Sequence, residues 1–161
     1  MTALGRTSSV AGTIGTVDVH TPPGAPMSVS LYYEAHRDTP LTRDEHALLT
    51  EITDAGFEAL VAETTRRLPE WLRTGQVTDA AIGPREMFEP LGPYAVRERV
   101  GELFAGSAKL TRSHIGDAPL MAQTHHYLDA LTRLRDAFPD AVWNVHIDDL
   151  DVPWTPGGYA L

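Results

Sequence analysis

Two histidines and two carboxylates fall at a spacing that could do chemistry. In "SVSLYYEAH" (residues 28–36) Glu34 and His36 are two apart, and in "AVWNVHIDD" (residues 141–149) His146 and Asp148 are two apart. Residues two apart share one face of a strand, so each pair sets an imidazole beside a carboxylate. Such a pair serves as a general base with its orienting acid, because an imidazole titrates near neutrality. Nitrogen and oxygen donors could also hold a divalent metal, but no helical HExxH spacing is present. The chain has no cysteine, which removes disulfides, thiolate chemistry and cysteine-based zinc sites. No metal and no cofactor is expected.

The elements that carry these residues are legible from periodicity. Residues 28–36 alternate, with Val29, Leu31, Tyr33 and Ala35 on one face and Ser30, Tyr32, Glu34 and His36 on the other. Thr42 and Glu45 form a capping-box pattern that opens a helix. Leu48, Leu49, Ile52, Phe57, Leu60 and Val61 give it an apolar stripe; it is expected to reach about Arg67 and to end at Pro69. Gly56 weakens it. Residues 69–92 are rich in turn formers, with a short helical piece around residues 70–73. Residues 94–98 and 102–105 alternate around Gly101 and predict a hairpin. Asp117 and Pro119 open a second helix striped by Leu120, Met121, Thr124, Leu128, Leu131, Leu134 and Phe138, and Pro139 stops it. The final strand places Trp143, Val145 and Ile147 inward and Asn144, His146 and Asp148 outward.

The order strand, helix, strand, strand, helix, strand predicts an α+β chain of ferredoxin-like, split βαβ architecture, βαββαβ, with both helices on one face of an antiparallel sheet. Residues 1–26, rich in Gly, Ser, Thr and Pro, read as a disordered or accessory leader, and residues 27–161 as a single domain. In this topology the first and last strands are neighbours. Their polar faces then merge into one surface on the uncovered side of the sheet.

Charge narrows what that surface could meet. The 161-residue chain carries 22 acidic residues against 13 Lys and Arg, a net charge of −9, so phosphate backbones are repelled and no nucleic-acid partner is expected. A basic protein partner is attracted by the same field. No apolar run is long enough for a membrane span and the N-terminus has no secretory pattern, so a cytoplasmic location and no membrane contact are expected. The abundance of Arg over Lys, with Ala, Gly and Pro, suggests a high-GC bacterial genome.

Other motifs are set aside. Adjacent His125 and His126 point about 100° apart on a helix and cannot chelate one ion. His114 precedes the helix as a lone loop histidine. "FAGSAKL" (residues 104–110) lacks the phosphate-loop spacing and following helix. The acidic end, with Asp136, Asp140, Asp148, Asp149 and Asp151 around Trp143 and Trp154, has no EF-hand ligand pattern. Acids around exposed aromatics are what a surface for a basic partner uses, and a solvated acidic edge that blocks strand-to-strand aggregation is the equal alternative.

"MSVSLYYEA" followed by "TPLT", then "FAGSAKL", then "FPDAVWNVHIDDLDVPW", resembles a group of small uncharacterised bacterial proteins sharing an MSxSxYY opening strand and a WxVHxDD closing strand. The resemblance spans residues 27–154; the leader and the Pro/Gly-rich 69–92 segment depart from it. In size, acidity and layout the chain is also similar in general character to immunity proteins of bacterial toxin systems. That general likeness, together with the net charge of −9, the lack of a catalytic signature and the open polar sheet face, leads to the expectation of a small acidic binding protein that neutralises a toxin by occluding it, with Tyr32, Glu34, His36, Asn144, His146, Asp148, Asp149 and Trp154 as its surface. Two alternatives stand beside it: a small enzyme or ligand-binding domain using His36, His146, Glu34 and Asp148, and a self-associating homodimer.

Overall fold

In the computed structural model, which describes residues 28–94, 101–110 and 113–161, the alternating opening stretch becomes the central strand β1 (Ser30–His36). It pairs antiparallel with β3 (Glu102–Lys109) on one side and β4 (Val142–Ile147) on the other. β2 (Gly92–Pro93) extends the sheet beyond β3 and β5 (Leu150–Asp151) beyond β4, giving the order β2-β3-β1-β4-β5. With helices α1 (Arg43–Arg73) and α2 (Asp117–Ala137), the chain is α+β with a five-stranded antiparallel sheet. The leader, residues 1–26, and most of the first arm of the expected hairpin, residues 95–98, lie outside the described residues. The pairing of β2 with β3 is antiparallel, as a hairpin requires.

Register decides which face is core. Leu31 stands opposite Ala108 and Ile147, Tyr33 opposite Gly106 and Val145, and Ala35 opposite Phe104 and Trp143. These residues join the buried side chains of both helices in one apolar cluster, so α1 and α2 cover this face and leave the other open. Phe104 is the hub of its aromatic part, in edge contact with Tyr33, Phe138 and Trp143 at centroid distances of 6.3, 5.4 and 5.4 Å. Edge contacts of this kind each contribute about 0.5–1.5 kcal/mol beyond area burial. Tyr33 lies so close over Gly106 that a Cβ there would collide with its hydroxyl and with the Gly92 carbonyl.

The capping box forms as the sequence dictates: Glu45 N–H donates to Thr42 Oγ1 at 3.2 Å, and Thr42 N–H to Glu45 Oε2 at 2.8 Å. The expected end at Pro69 is overturned, because α1 runs through it to Arg73 and absorbs the separate helical piece. Proline removes one amide and crowds the carbonyl four residues earlier. The last turn persists because Trp71 is buried to 2% exposure and is overlain by the Arg67 guanidinium at 4.8 Å.

Two segments contribute more than their composition suggests. Turn-rich residues 76–91 bury Val77, Met87, Phe88 and Leu91, and Gln76 Oε1 accepts from Ala118 N–H at 2.9 Å, serving α2, whose N-cap Gly116 has no side chain to do so. After β5 the chain makes a further hairpin, β6 (Trp154–Thr155) with β7 (Gly158–Tyr159), which the sequence reading did not anticipate. It is fixed to α2 by Tyr159 N–H donating to Thr132 Oγ1 at 3.0 Å and by Arg135 stacking 4.3 Å over Trp154.

Gly56 marks where the helices meet: a Cβ there would lie 2.9 Å from the Cβ of Ala130. Gly56→Ala gains about 1 kcal/mol in helix propensity, but forcing the helices apart costs about 1–3 kcal/mol. The net expectation is a lowered urea midpoint for Gly56→Ala, restored by adding Ala130→Gly; an unchanged or raised midpoint in the single variant would mean that the helix contact is loose.

Candidate functional site

On the uncovered face, β1 sets Tyr32, Glu34 and His36 in a row, and its register with β4 places His146 beside Tyr32, Asn144 beside Glu34 and Val142 beside His36. β3 adds Ser107 next to Tyr32, Ala105 next to Glu34 and Glu102 next to His36. Beyond β3, Gly92 stands opposite Ser107 and Tyr94 donates its amide to the Ala105 carbonyl at 2.8 Å. Beyond β4, Asp151 stands opposite His146. Exposed aromatic and carboxylate groups thus share one surface, with Tyr32 at 38% and Tyr94 at 52% exposure.

Its centre is a stack. The rings of Tyr32 and His146 lie 5.1 Å apart with planes 16° from parallel. His146 Nδ1 is 2.6 Å from the Asp148 carbonyl. A carbonyl can only accept, so Nδ1 carries a proton and donates it to Asp148 O. Beside the stack, Glu34 Oε1 accepts from Asn144 Nδ2 at 3.1 Å while Glu34 Oε2 lies 3.5 Å from His36 Nε2.

Asp148 belongs to the scaffold of this face. It sits in the two-residue turn between β4 and β5 with φ of 47°, a left-handed conformation that aspartate tolerates better than most side chains. Its Oδ1 accepts from Ser30 N–H at 3.0 Å, and its own N–H donates to Ser30 O at 3.0 Å, closing the first rung of β1. Asp149 is exposed at the tip of the same turn. Trp154, expected on this surface, is not brought there. It packs on Arg135 of α2 and in edge contact with Tyr159, on the helical side of the molecule.

The sequence reading missed Tyr94 as a member of the face, because its register is set by β2 and not by its own alternation. It also missed Asp151 as the cross-strand neighbour of His146, and Arg37. Arg37, its side chain only 10% exposed, reaches both oxygens of Glu45 at 2.9 and 3.0 Å, the Asp140 carboxylate at 3.2 Å, and the carbonyls of Thr39 and Pro40. It ties the end of β1 to the start of α1 and to the turn before β4. A groove of about 540 Å³ opens at this end of the sheet, lined by His36, Arg37, Asp38, Thr39, Gly101, Asp140 and Val142. His146 and Asp148 do not line it. Elsewhere, His126 pairs with Glu63 across the helices at 2.9 Å, and His125 lines a smaller cleft of about 270 Å³ beside the C-terminal hairpin.

Among the described residues no group of three or more His, Cys, Asp or Glu side chains is arranged to hold a metal ion, and no helix is long and apolar enough to cross a membrane. No family model, curated protein or solved structure matches the chain.

The Arg37 guanidinium, followed by the Thr42 amide, holds the Glu45 carboxyl down from 4.5 to about 2. A carboxyl depressed in the folded state stabilises the fold above its unfolded value and loses that contribution as pH falls. The stabilisation from Glu45 should be complete above about pH 4.5 and fade toward pH 2. Glu45→Gln should therefore be less stable than the parent at pH 7, with urea midpoints converging on acidification; a gap that stays constant down to pH 2 would contradict the pairing.

Proposed function

We propose that the chain is a binding protein that docks a basic protein partner on its open sheet face, most concretely an immunity protein that occludes a cognate toxin. The observation that carries this reading is the uncovered face itself, where the Tyr32–His146 stack and Tyr94 stand among Glu34, Asp149 and Asp151 on a chain of net charge −9. Aromatics at the centre of a face supply contact energy, and surrounding charges steer the encounter. The chain order and the antiparallel order β2-β3-β1-β4 support the finer description of the fold as ferredoxin-like, with β5 and the C-terminal hairpin as additions. Within this reading Tyr32, Glu34, His36, Asn144, His146 and Asp149 are contact residues, Asp148 shapes the turn beneath them, and Tyr94 and Asp151 are added.

The groove beside His36 favours a second reading. Its volume of about 540 Å³ falls in the range of small-molecule sites, and Glu34 at 3.5 Å could orient His36 as a general base. That enzyme or ligand-binding site would occupy one end of the sheet and leave the stack unused.

Purification of the tagged chain from its host separates the two. The expected result is a basic protein recovered near equimolar ratio, whose affinity drops about tenfold or more when Asp149 and Asp151 are both changed to lysine. Recovery unaffected by that change would refute the docking surface, and a retained small molecule that is lost in His36→Ala would establish the second reading instead.

A further inference from the structure

The Tyr32–His146 stack has two outer faces, and the residues beside them differ in chemistry. Near-parallel rings with centroids 5.1 Å apart turn one face of each toward the other and the second face of each away. Tyr32 looks out over Ser107 and Gly92, small residues on β3 and β2. His146 looks out toward β5, where Asp151 is its direct cross-strand neighbour. Side chains so paired have Cβ atoms about 5 Å apart. Among the described residues the Asp151 carboxylate makes no hydrogen bond or ion pair, whereas Glu34 is already shared between Asn144 and His36. The imidazole cannot swing away freely, because Nδ1 is bonded to the Asp148 carbonyl.

A ring held upright beside an unused carboxylate suits a planar cation. From this we infer that the partner's anchor on the open face is an arginine side chain, its guanidinium laid on the outer face of His146 and bonded through two N–H groups to Asp151. This rests on the reading of the open face as a docking surface for a basic protein, and it narrows the partner's chemistry. Guanidinium is flat, weakly hydrated and forked, so it can stack on a ring and engage both oxygens of a carboxylate together. A lysine ammonium is a compact point charge that cannot lie flat on the ring while engaging both carboxylate oxygens. The partner segment would then cross β4 and β5, the side of the sheet away from β2.

The test uses two twelve-residue peptides of equal charge, identical except that four arginines in one are lysines in the other. Each is titrated into the full chain while backbone and aromatic resonances are followed. The expected result is shifts centred on Tyr32, His146 and Asp151, with about threefold tighter binding of the arginine peptide. That preference should vanish in His146→Ala and in Asp151→Asn and persist in Asp149→Asn. Equal affinities with shifts on the same face would overturn the arginine anchor and leave the basic-partner reading standing. Shifts that avoid the open face altogether would overturn both.

Discussion

The structure depends on a single constraint: β1 is hydrogen-bonded along both edges, so its alternation is imposed on the whole sheet. Leu31, Tyr33 and Ala35 must be inward together, and the register with β3 and β4 forces Ala108, Gly106 and Phe104 on one side, and Ile147, Val145 and Trp143 on the other, to share that face. A slip of one residue would turn every one of these side chains to water and bring Glu34 and His36 into the core. The same constraint creates the open surface. Tyr32, Glu34 and His36 have nowhere else to go, and the partners they meet are those the register hands them.

The ends of β1 are secured in different ways. At its start the carboxylate and backbone of Asp148 close the first rung with Ser30. At its finish Arg37 gathers Glu45, Asp140 and two carbonyls, so one guanidinium positions the helix entry and the turn before β4. Both devices use charged groups whose obvious role in a sequence would be surface chemistry. Here they fix geometry, and the groups left for the proposed docking are the ones without such duties, chiefly the stack, Tyr94 and Asp151.

Local patterns made the α+β layout and most of the open face readable in the sequence. Alternation in residues 30–36, the Thr42–Glu45 box and most of the stripe along residues 120–134 are each governed by neighbours a few positions away and appear as expected; the exception is Met121, assigned to the stripe but exposed to 42% in the structure. What escaped depends on distant contacts. Pro69 reads as a stop, yet burial of Trp71 carries α1 past it. Met87, Phe88 and Leu91 show no period, because they enter the core from an irregular segment. Trp154 resembles an exposed anchor until Arg135 and Tyr159, 19 and 5 residues away, are seen to hold it against α2. Asp148 looks like a surface charge, and only the left-handed turn and the Ser30 amide reveal its structural duty.

The proposed docking places recognition on the sheet and not on the helices. Hydroxyl-radical footprinting tests it most directly, since tyrosine, tryptophan, histidine and methionine side chains report their own exposure. Comparison of the free chain with the complex recovered from its host should show protection of Tyr32, Tyr94 and His146, with Met121 and Trp154 unchanged. Protection of Met121 and Trp154 with an unaltered Tyr32 would contradict it, and would move the interface to the far side of the molecule.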